Sequence, residues 1–207
     1  MAMSTWTIVV AGGQGARFGQ RKQYLPLGGS RVLDWALRAA AAHGAGVVLV
    51  VPRDVVDQSE PLATVVVAGG PSRSASVRAG LAAVPADADL VLVHDAARPV
   101  PVPDVWARVM AALRAGADAV VPVVPVLDTL RSVDGGTVDR SRFVAVQTPQ
   151  GFRTDVLRAA HAAEPDASDD AALVEAAGGR VVLVEGDPTN IKITASTDLA
   201  VAEVLCR

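Results

Sequence analysis

Phosphate chemistry is the first possibility that these residues raise. The stretch AGGQGARFGQRKQYLPLGG (residues 11–29) sets six glycines around Arg17, Arg21 and Lys22, directly after the apolar run TIVV. Backbone N–H groups of such a loop can wrap an anion while an arginine fork and a mobile lysine charge reach its oxygens. Further on, GGPSRSAS (69–76) combines glycine with hydroxyls, HDAARP (94–99) sets Asp95 near Arg98, and NIKIT (190–194) places Lys192 between two isoleucines. Surface cations often do no more than solvate a turn, but a loop that follows the first strand is where ligands are held.

Two well-known phosphate loops do not fit. The G-x-x-x-x-G-K-[ST] pattern fails because Gln23 follows Lys22 and no glycine precedes it. A dinucleotide fingerprint starting at Gly13 puts Phe18 where the third glycine belongs, and the second apolar run ends VVLVVP without the acid that would hold a ribose. A loop in which Ala11, Gly12, Gly13 and Gly15 supply backbone donors to a triphosphate remains.

The elements that must position these residues read as α/β. Val-rich runs at 7–11, 47–52, 64–68, 89–95, 119–124 and 180–185 are nearly continuous, as strands buried on both faces of a parallel sheet are. Helical spacing fills 32–42, 74–84, 103–115 and 154–163, giving the alternation of βαβ units and a Rossmann-like, mostly parallel sheet flanked by helices. The glycine- and charge-bearing loops all follow strands, at the end of the sheet where such folds bind ligands. Residues 125–147 break the alternation: two extended runs around Asp134-Gly135-Gly136 predict a protruding β-arm that needs another surface to lie on, such as a second subunit.

Composition narrows the function classes. A hydrophobic fraction of 51% with only 3% aromatics implies a core of small and β-branched side chains. A net charge of -3 gives no reason to expect nucleic acid or an anionic membrane as partner. The single cysteine, Cys206, permits no intrachain disulfide, and the start MAMSTW does not resemble a signal peptide, so a cytoplasmic protein is expected. One domain over 1–207 is expected, with nothing fused downstream.

In their order along the chain, AGGQGARFG, KQYLPLGG, VAGGPSRSASVRAGL, LVHDAARP, PVLDTL, VQTPQGF, ASDDAALVE and NIKITASTDLAVAE resemble the nucleotidyltransferases that make CDP-alcohols. Within that group the chain is most similar to the 2-C-methyl-D-erythritol 4-phosphate cytidylyltransferase family. The resemblance covers nearly the whole chain. One departure is Arg21, which stands where the family usually carries proline.

The resemblance implies transfer of a cytidylyl group from CTP to the polyol phosphate, with Mg²⁺ held mainly by the CTP phosphates. Arg17 and Lys22 would hold the triphosphate, and Lys192 would reach the α-phosphate from a terminal strand. Gly69, Gly70 and Ser76 would form the base pocket. Asp95 would grip a substrate hydroxyl, or Mg²⁺ through water, and Arg98 and Thr148 would line the alcohol-phosphate pocket. Thr129, Arg131 and Arg140 would reach the substrate of the neighbouring subunit in a homodimer.

A phosphate monoester is already largely dianionic at neutral pH, its second pKa being about 6, so this chemistry needs cations rather than a base. His94 is therefore expected to pack rather than catalyse. His43 and His161 are given no role, and Cys206, without a cationic setting, is not expected to act as a nucleophile. Asp169 and Asp170 are expected in the first turn of a helix that Ser168 caps. Two rivals stand beside this reading: ribitol-5-phosphate cytidylyltransferase, and a non-catalytic nucleotide-binding module.

Overall fold

The structure, a computed structural model, describes residues 3–13 and 18–206. Gly15 and Arg17 lie outside the described residues. In chain order the first half comprises β1 (Thr5–Val10), the short pair β2 (Pro26–Leu27) and β3 (Ser30–Arg31), α1 (Val32–Ala41), β4 (Gly46–Val51), β5 (Val65–Ala68), α2 (Arg73–Ala83) and β6 (Leu90–Asp95). The second half comprises α3 (Pro103–Arg114), β7 (Ala119–Pro125), β8 (Val144–Val146), β9 (Gln150–Arg153), α4 (Thr154–His161), α5 (Asp170–Ala176), β10 (Val181–Glu185) and α6 (Ser196–Leu205).

The main sheet runs β10-β7-β9-β6-β1-β4-β5, and β8 also pairs with β7. Neighbours from β6 to β5 are parallel, as are β7 and β10, while β9 runs antiparallel between β6 and β7. The expected α/β architecture is therefore present, with one strand that periodicity did not show. Residues Gln150–Arg153 contain only one strong strand former, Phe152, and become a strand because the slot between two buried strands offers backbone partners. Gly151 also lets α3 lie close, since a Cβ there would come within 2.6 Å of Val109 Cγ1.

Strands β4 and β6 are buried throughout, and their successive side chains serve two different cores. Val9, Leu49 and Leu92 pack with residues of α1, α3 and α6, whereas Ile8, Val48 and Val93 pack with residues of α2, α4 and α5. This two-sided burial explains the lack of polar alternation in the Val-rich runs.

The arm differs in detail from the expected ribbon. The turn is where Asp134-Gly135-Gly136 predicts it, with φ of 111° at Gly135 and 80° at Gly136. Its ladder, however, is a single bridge between Arg131 and Thr137, followed by a 3₁₀ turn at Arg140–Arg142. The last part of the second run, β8, returns to the main sheet, where Val146 pairs with Val123. Two further corrections concern local structure. Asp169, not Ser168, caps α5, accepting from the Ala172 N–H at 2.9 Å. The segment around Lys192 is no strand; it is held by the Ile193 N–H donating to the Ala97 carbonyl at 2.8 Å.

Candidate active site

The chain leaves β1 toward β4 on one side and meets β6 on the other, so a crevice opens beyond the carboxyl ends of these strands. A cleft of about 590 Å³ lies there, walled by residues 11–13, 70–73 and 95–97 together with Phe18, Lys22, Ser76 and Lys192. These are the loops that follow β1, β5 and β6, as the sequence suggests.

Cations converge on this cleft from opposite ends of the chain. Lys22 sits in a 3₁₀ turn (Lys22–Tyr24), and its Nζ donates to the carbonyl of Ile193, 171 residues away, at 2.5 Å. Lys192 Nζ lies 2.6 Å from Asp95 Oδ2, with the lysine side chain still 44% exposed and so open to a ligand. The NIKIT segment is fixed by its first residue: Asn190 is wholly buried, and its Nδ2 donates to the Thr148 carbonyl at 2.9 Å. Burial pushes the Asp95 carboxyl up, but Lys192, Arg73 and Arg98 outweigh it and hold the group below the usual carboxylate range.

The base-pocket loop is built around α2. Ser72 caps the helix, accepting from the Ala75 N–H at 3.1 Å. Ser76 Oγ donates to the Ser72 carbonyl at 2.9 Å and accepts from the Gly70 N–H at 3.2 Å, so it fastens the loop to the helix. Gly70 is required by this closeness, because a Cβ would sit 2.5 Å from that of Ala75. Gly69 does not wall the cleft, although a Cβ there would meet Ser76 Oγ at 2.9 Å.

Arg98 and Thr148 are not among the described residues that wall the cleft. Arg98 donates from Nη1 to the Asn190 carbonyl at 2.6 Å and from Nη2 to the Val146 carbonyl at 3.1 Å. Thr148 Oγ1 accepts from the Asp95 N–H at 3.1 Å, so both side chains brace the wall. His94 is buried against Trp106, with Nδ1 3.1 Å from Thr148 Oγ1 and Nε2 3.2 Å from the Arg98 carbonyl. Burial lowers its pKa to about 4, so the ring is neutral at pH 7 and packs, as the sequence reading expects. Thr129, Arg131 and Arg140 stand in the arm, outside the cleft wall; Arg140 donates to the Leu127 carbonyl.

Two residues of the site were not singled out from sequence. Arg73 walls the cleft, and its Nη1 donates to Asp170 Oδ2 at 2.7 Å. Asp170 is completely buried, and its other oxygen lies 3.1 Å from His161 Nε2. The acid read as a first-turn helix residue is thus also one end of an ion pair, which only the packing of α4 and α5 reveals. Gln23 is the other residue, with its amide turned into the glycine loop. The only sequence signal for either was membership of a motif, VAGGPSRSASVRAGL or KQYLPLGG.

A mostly parallel sheet with helices on both faces, and a cation-lined cleft at its switch point, defines an α/β nucleotidyltransferase. The family model described as "IspD: 2-C-methyl-D-erythritol 4-phosphate cytidylyltransferase" matches residues 5–207. The chain belongs to this family. It is 47% identical over 211 residues to the 2-C-methyl-D-erythritol 4-phosphate cytidylyltransferase of Rhodococcus opacus (strain B4), covering 96% of this chain and 93% of that one. The Nocardia farcinica (strain IFM 10152) enzyme of the same name is 45% identical over 98% of this chain and 94% of its own. Among solved structures, the crystal structure of 2-C-methyl-D-erythritol 4-phosphate cytidylyltransferase from Thermus thermophilus superimposes with a TM-score of 0.83 at 42% identity, covering 100% of both chains. The reaction is that of a cytidylyltransferase: CTP and 2-C-methyl-D-erythritol 4-phosphate give the CDP-alcohol and pyrophosphate, a step of isoprenoid biosynthesis. The methylerythritol reading thereby prevails over ribitol phosphate. No helix among the described residues is long and apolar enough to cross a membrane.

Proposed function

We propose that the cleft performs this transfer by electrostatic preorganisation, without a general base. An oxygen of the substrate phosphate forms a new bond to the α-phosphorus of CTP as the bond from that phosphorus to the bridging oxygen breaks, and pyrophosphate leaves. Two anions must approach in line, and negative charge develops around the α-phosphorus. The observation that carries the reading is the convergence of Lys22 and Lys192, from opposite ends of the chain, on one cleft that also holds Asp95.

Lys22, together with Arg17, holds the β- and γ-phosphates and the leaving pyrophosphate. Lys192 serves the α-phosphate, exchanging part of its contact with Asp95 for a phosphate oxygen. Asp95 then keeps the lysine aligned and is available to a substrate hydroxyl. Ala11, Gly12, Gly13 and Gly15 offer backbone donors to the triphosphate, while Gly69, Gly70 and Ser76 shape the base pocket. Arg98 and Thr148, which brace the wall, line the polyol-phosphate pocket.

The donor set in the cleft suits Mg²⁺ bound with CTP. Among the described residues no cluster of three His, Cys, Asp or Glu side chains could hold an ion, and Asp95 is the carboxylate on the wall. A hard cation with few protein ligands is the way Mg²⁺ accompanies a triphosphate. It would neutralise phosphate charge there, and Asp95 is the residue that would hold it through water.

The protein works as a cytoplasmic homodimer in this reading, with the arm as the contact. Leu127, Phe143, Val144 and Val146 are exposed on or beside the arm, and Thr129, Arg131 and Arg140 stand outside their own chain's cleft wall. Both features suit an arm that lies on a second subunit and reaches its substrate.

Pyrophosphate release with CTP and Mg²⁺ tests the reading, with 2-C-methyl-D-erythritol 4-phosphate compared against D-ribitol 5-phosphate. Strong preference for the first is expected. CTP binding without turnover on either polyol would overturn the catalytic roles.

A further inference from the structure

The glycine loop could present either its N–H groups or its carbonyls to the cleft, and only the first suits a polyanion. The start of the loop does not owe its glycines to backbone sign: neither Gly12 nor Gly13 has a positive φ, whereas Gly19, further on, has one of 81°. Crowding by the described residues does not demand them either: among these, a Cβ at Gly13 would meet nothing within 4 Å and one at Gly12 only Ser76 Oγ at 3.4 Å and the Gly69 Cα at 3.9 Å. Glycine without a packing reason suits close approach by a ligand, but it also leaves the peptide planes easy to turn over.

One side chain removes that freedom. Gln23 is 4% exposed, and its Nε2 donates to two loop carbonyls, Ala11 O at 2.8 Å and Gly13 O at 3.0 Å. A buried amide that places both its hydrogens in this way is fully engaged as a donor. In a trans peptide plane the C=O and the next N–H point in opposite directions. Fixing the Ala11 carbonyl on Gln23 therefore turns the Gly12 N–H away from Gln23, and fixing the Gly13 carbonyl withdraws a second acceptor. On the other side, the Ala11 N–H is anchored to the Val50 carbonyl at 2.8 Å, so the loop is held at its root as well. Gln23 is also the chain neighbour of Lys22, so one short turn carries both the cation and the amide that holds the donor loop.

We propose that Gln23, itself on the cleft wall, is the positioning residue of the triphosphate loop, occupying the Ala11 and Gly13 carbonyls as acceptors so that the Gly12 N–H, on the far side of its peptide plane, is left for CTP. The inference rests on the reading of this loop as the CTP site. Its charge logic is specific: the amide works as a double donor, which no carboxylate of the same shape can imitate.

Gln23→Met keeps the length and loses both donors, and Gln23→Glu keeps the shape while setting a carboxylate against two carbonyls. For Q23M the expected result is a rise in the CTP KM of about tenfold, two lost hydrogen bonds being more than enough for that factor, with the KM for the polyol phosphate within about twofold of the unaltered protein. Q23E should be worse at pH 8 and should recover relative to the unaltered protein as pH falls toward 5, where a protonated carboxyl regains one donor. Calorimetric CTP affinity reads the same effect without turnover. If the unaltered protein makes no pyrophosphate, the parent reading fails while the CTP affinities still judge Gln23. Unchanged CTP affinity in both variants, equal rises in both KM values, or loss of folding by both variants in circular dichroism would overturn the proposal in favour of a purely structural glutamine.

Discussion

The cleft and the arm handle their charges in opposite ways. Among the described residues, each charged side chain on the cleft wall is held by a group far away in sequence: Lys22 by the Ile193 carbonyl, Arg73 by Asp170, and Asp95 by Lys192. In the arm the bonds are local, as between Ser132 and Gly136, Val138 and Leu130, and Asp139 and Ser141. Apolar Leu127, Phe143 and Val144 are left facing solvent. A cleft whose cations are fixed before the ligand arrives needs little reorganisation during reaction. The part of the arm around its turn, joined by local bonds among the described residues, leaves its apolar surface to be covered by something else.

Removing Lys192 should break the cleft side most severely. Lys192→Ala is expected to lower kcat by about 10²–10³, with a much smaller change in CTP affinity, because a preorganised cation acts mainly where charge develops. Steady-state kinetics beside CTP calorimetry checks this, and equal losses in both would make the lysine a ground-state binder. Asp170→Asn comes next. It leaves Arg73 without its buried counter-ion, and since the arginine is 24% exposed and can turn to water, a loss of about 2–3 kcal/mol is expected in urea denaturation.

Acid sharpens the comparison through His94. Its folded-state pKa of about 4 lies below the ordinary 6.5, so the unfolded chain takes up the proton first. Stability is then full above pH 6.5 and falls as the pH drops toward 4, by on the order of 3 kcal/mol, with the depressed Asp95 adding to the loss at still lower pH. Denaturation midpoints across pH 7 to 4.5 should flatten in His94→Asn, measured against that variant's own value at pH 7. On the arm side, Phe143→Asp should leave protomer stability within about 0.5 kcal/mol, since Phe143 is half exposed, yet abolish the dimer proposed above, with light scattering of both proteins as the check. The smallest effect is expected at the exposed Arg153–Asp155 pair, where Asp155→Ala should change stability by less than about 0.5 kcal/mol.

Local pattern made the strands and most helices legible, because burial on both faces leaves Val-rich runs and helices leave a 3.6-residue spacing. It did not reveal β9, whose Gln150 and Gly151 carry no strand signal, or the return of Val144–Val146 to the main sheet. Motif resemblance brought Lys22, Asp95 and Lys192 to one reading, and the structure places all three on one wall. It gave Arg98 and Thr148 to the alcohol-phosphate pocket, and the structure adds that both side chains also bond to backbone groups of the wall.

What the sequence by itself determined is the alternation of strand and helix, the end of the sheet where ligands bind, and the residue types that phosphate transfer requires, since these follow from periodicity and chemical identity over short spans. Only the tertiary structure decided which polar groups are committed to one another: the Gln23 amide to two loop carbonyls, the buried Asp170 to Arg73 and His161, and Asn190 to Thr148. Such commitments join residues 9 to 97 positions apart in the chain, where water is largely excluded, and no local spacing encodes them.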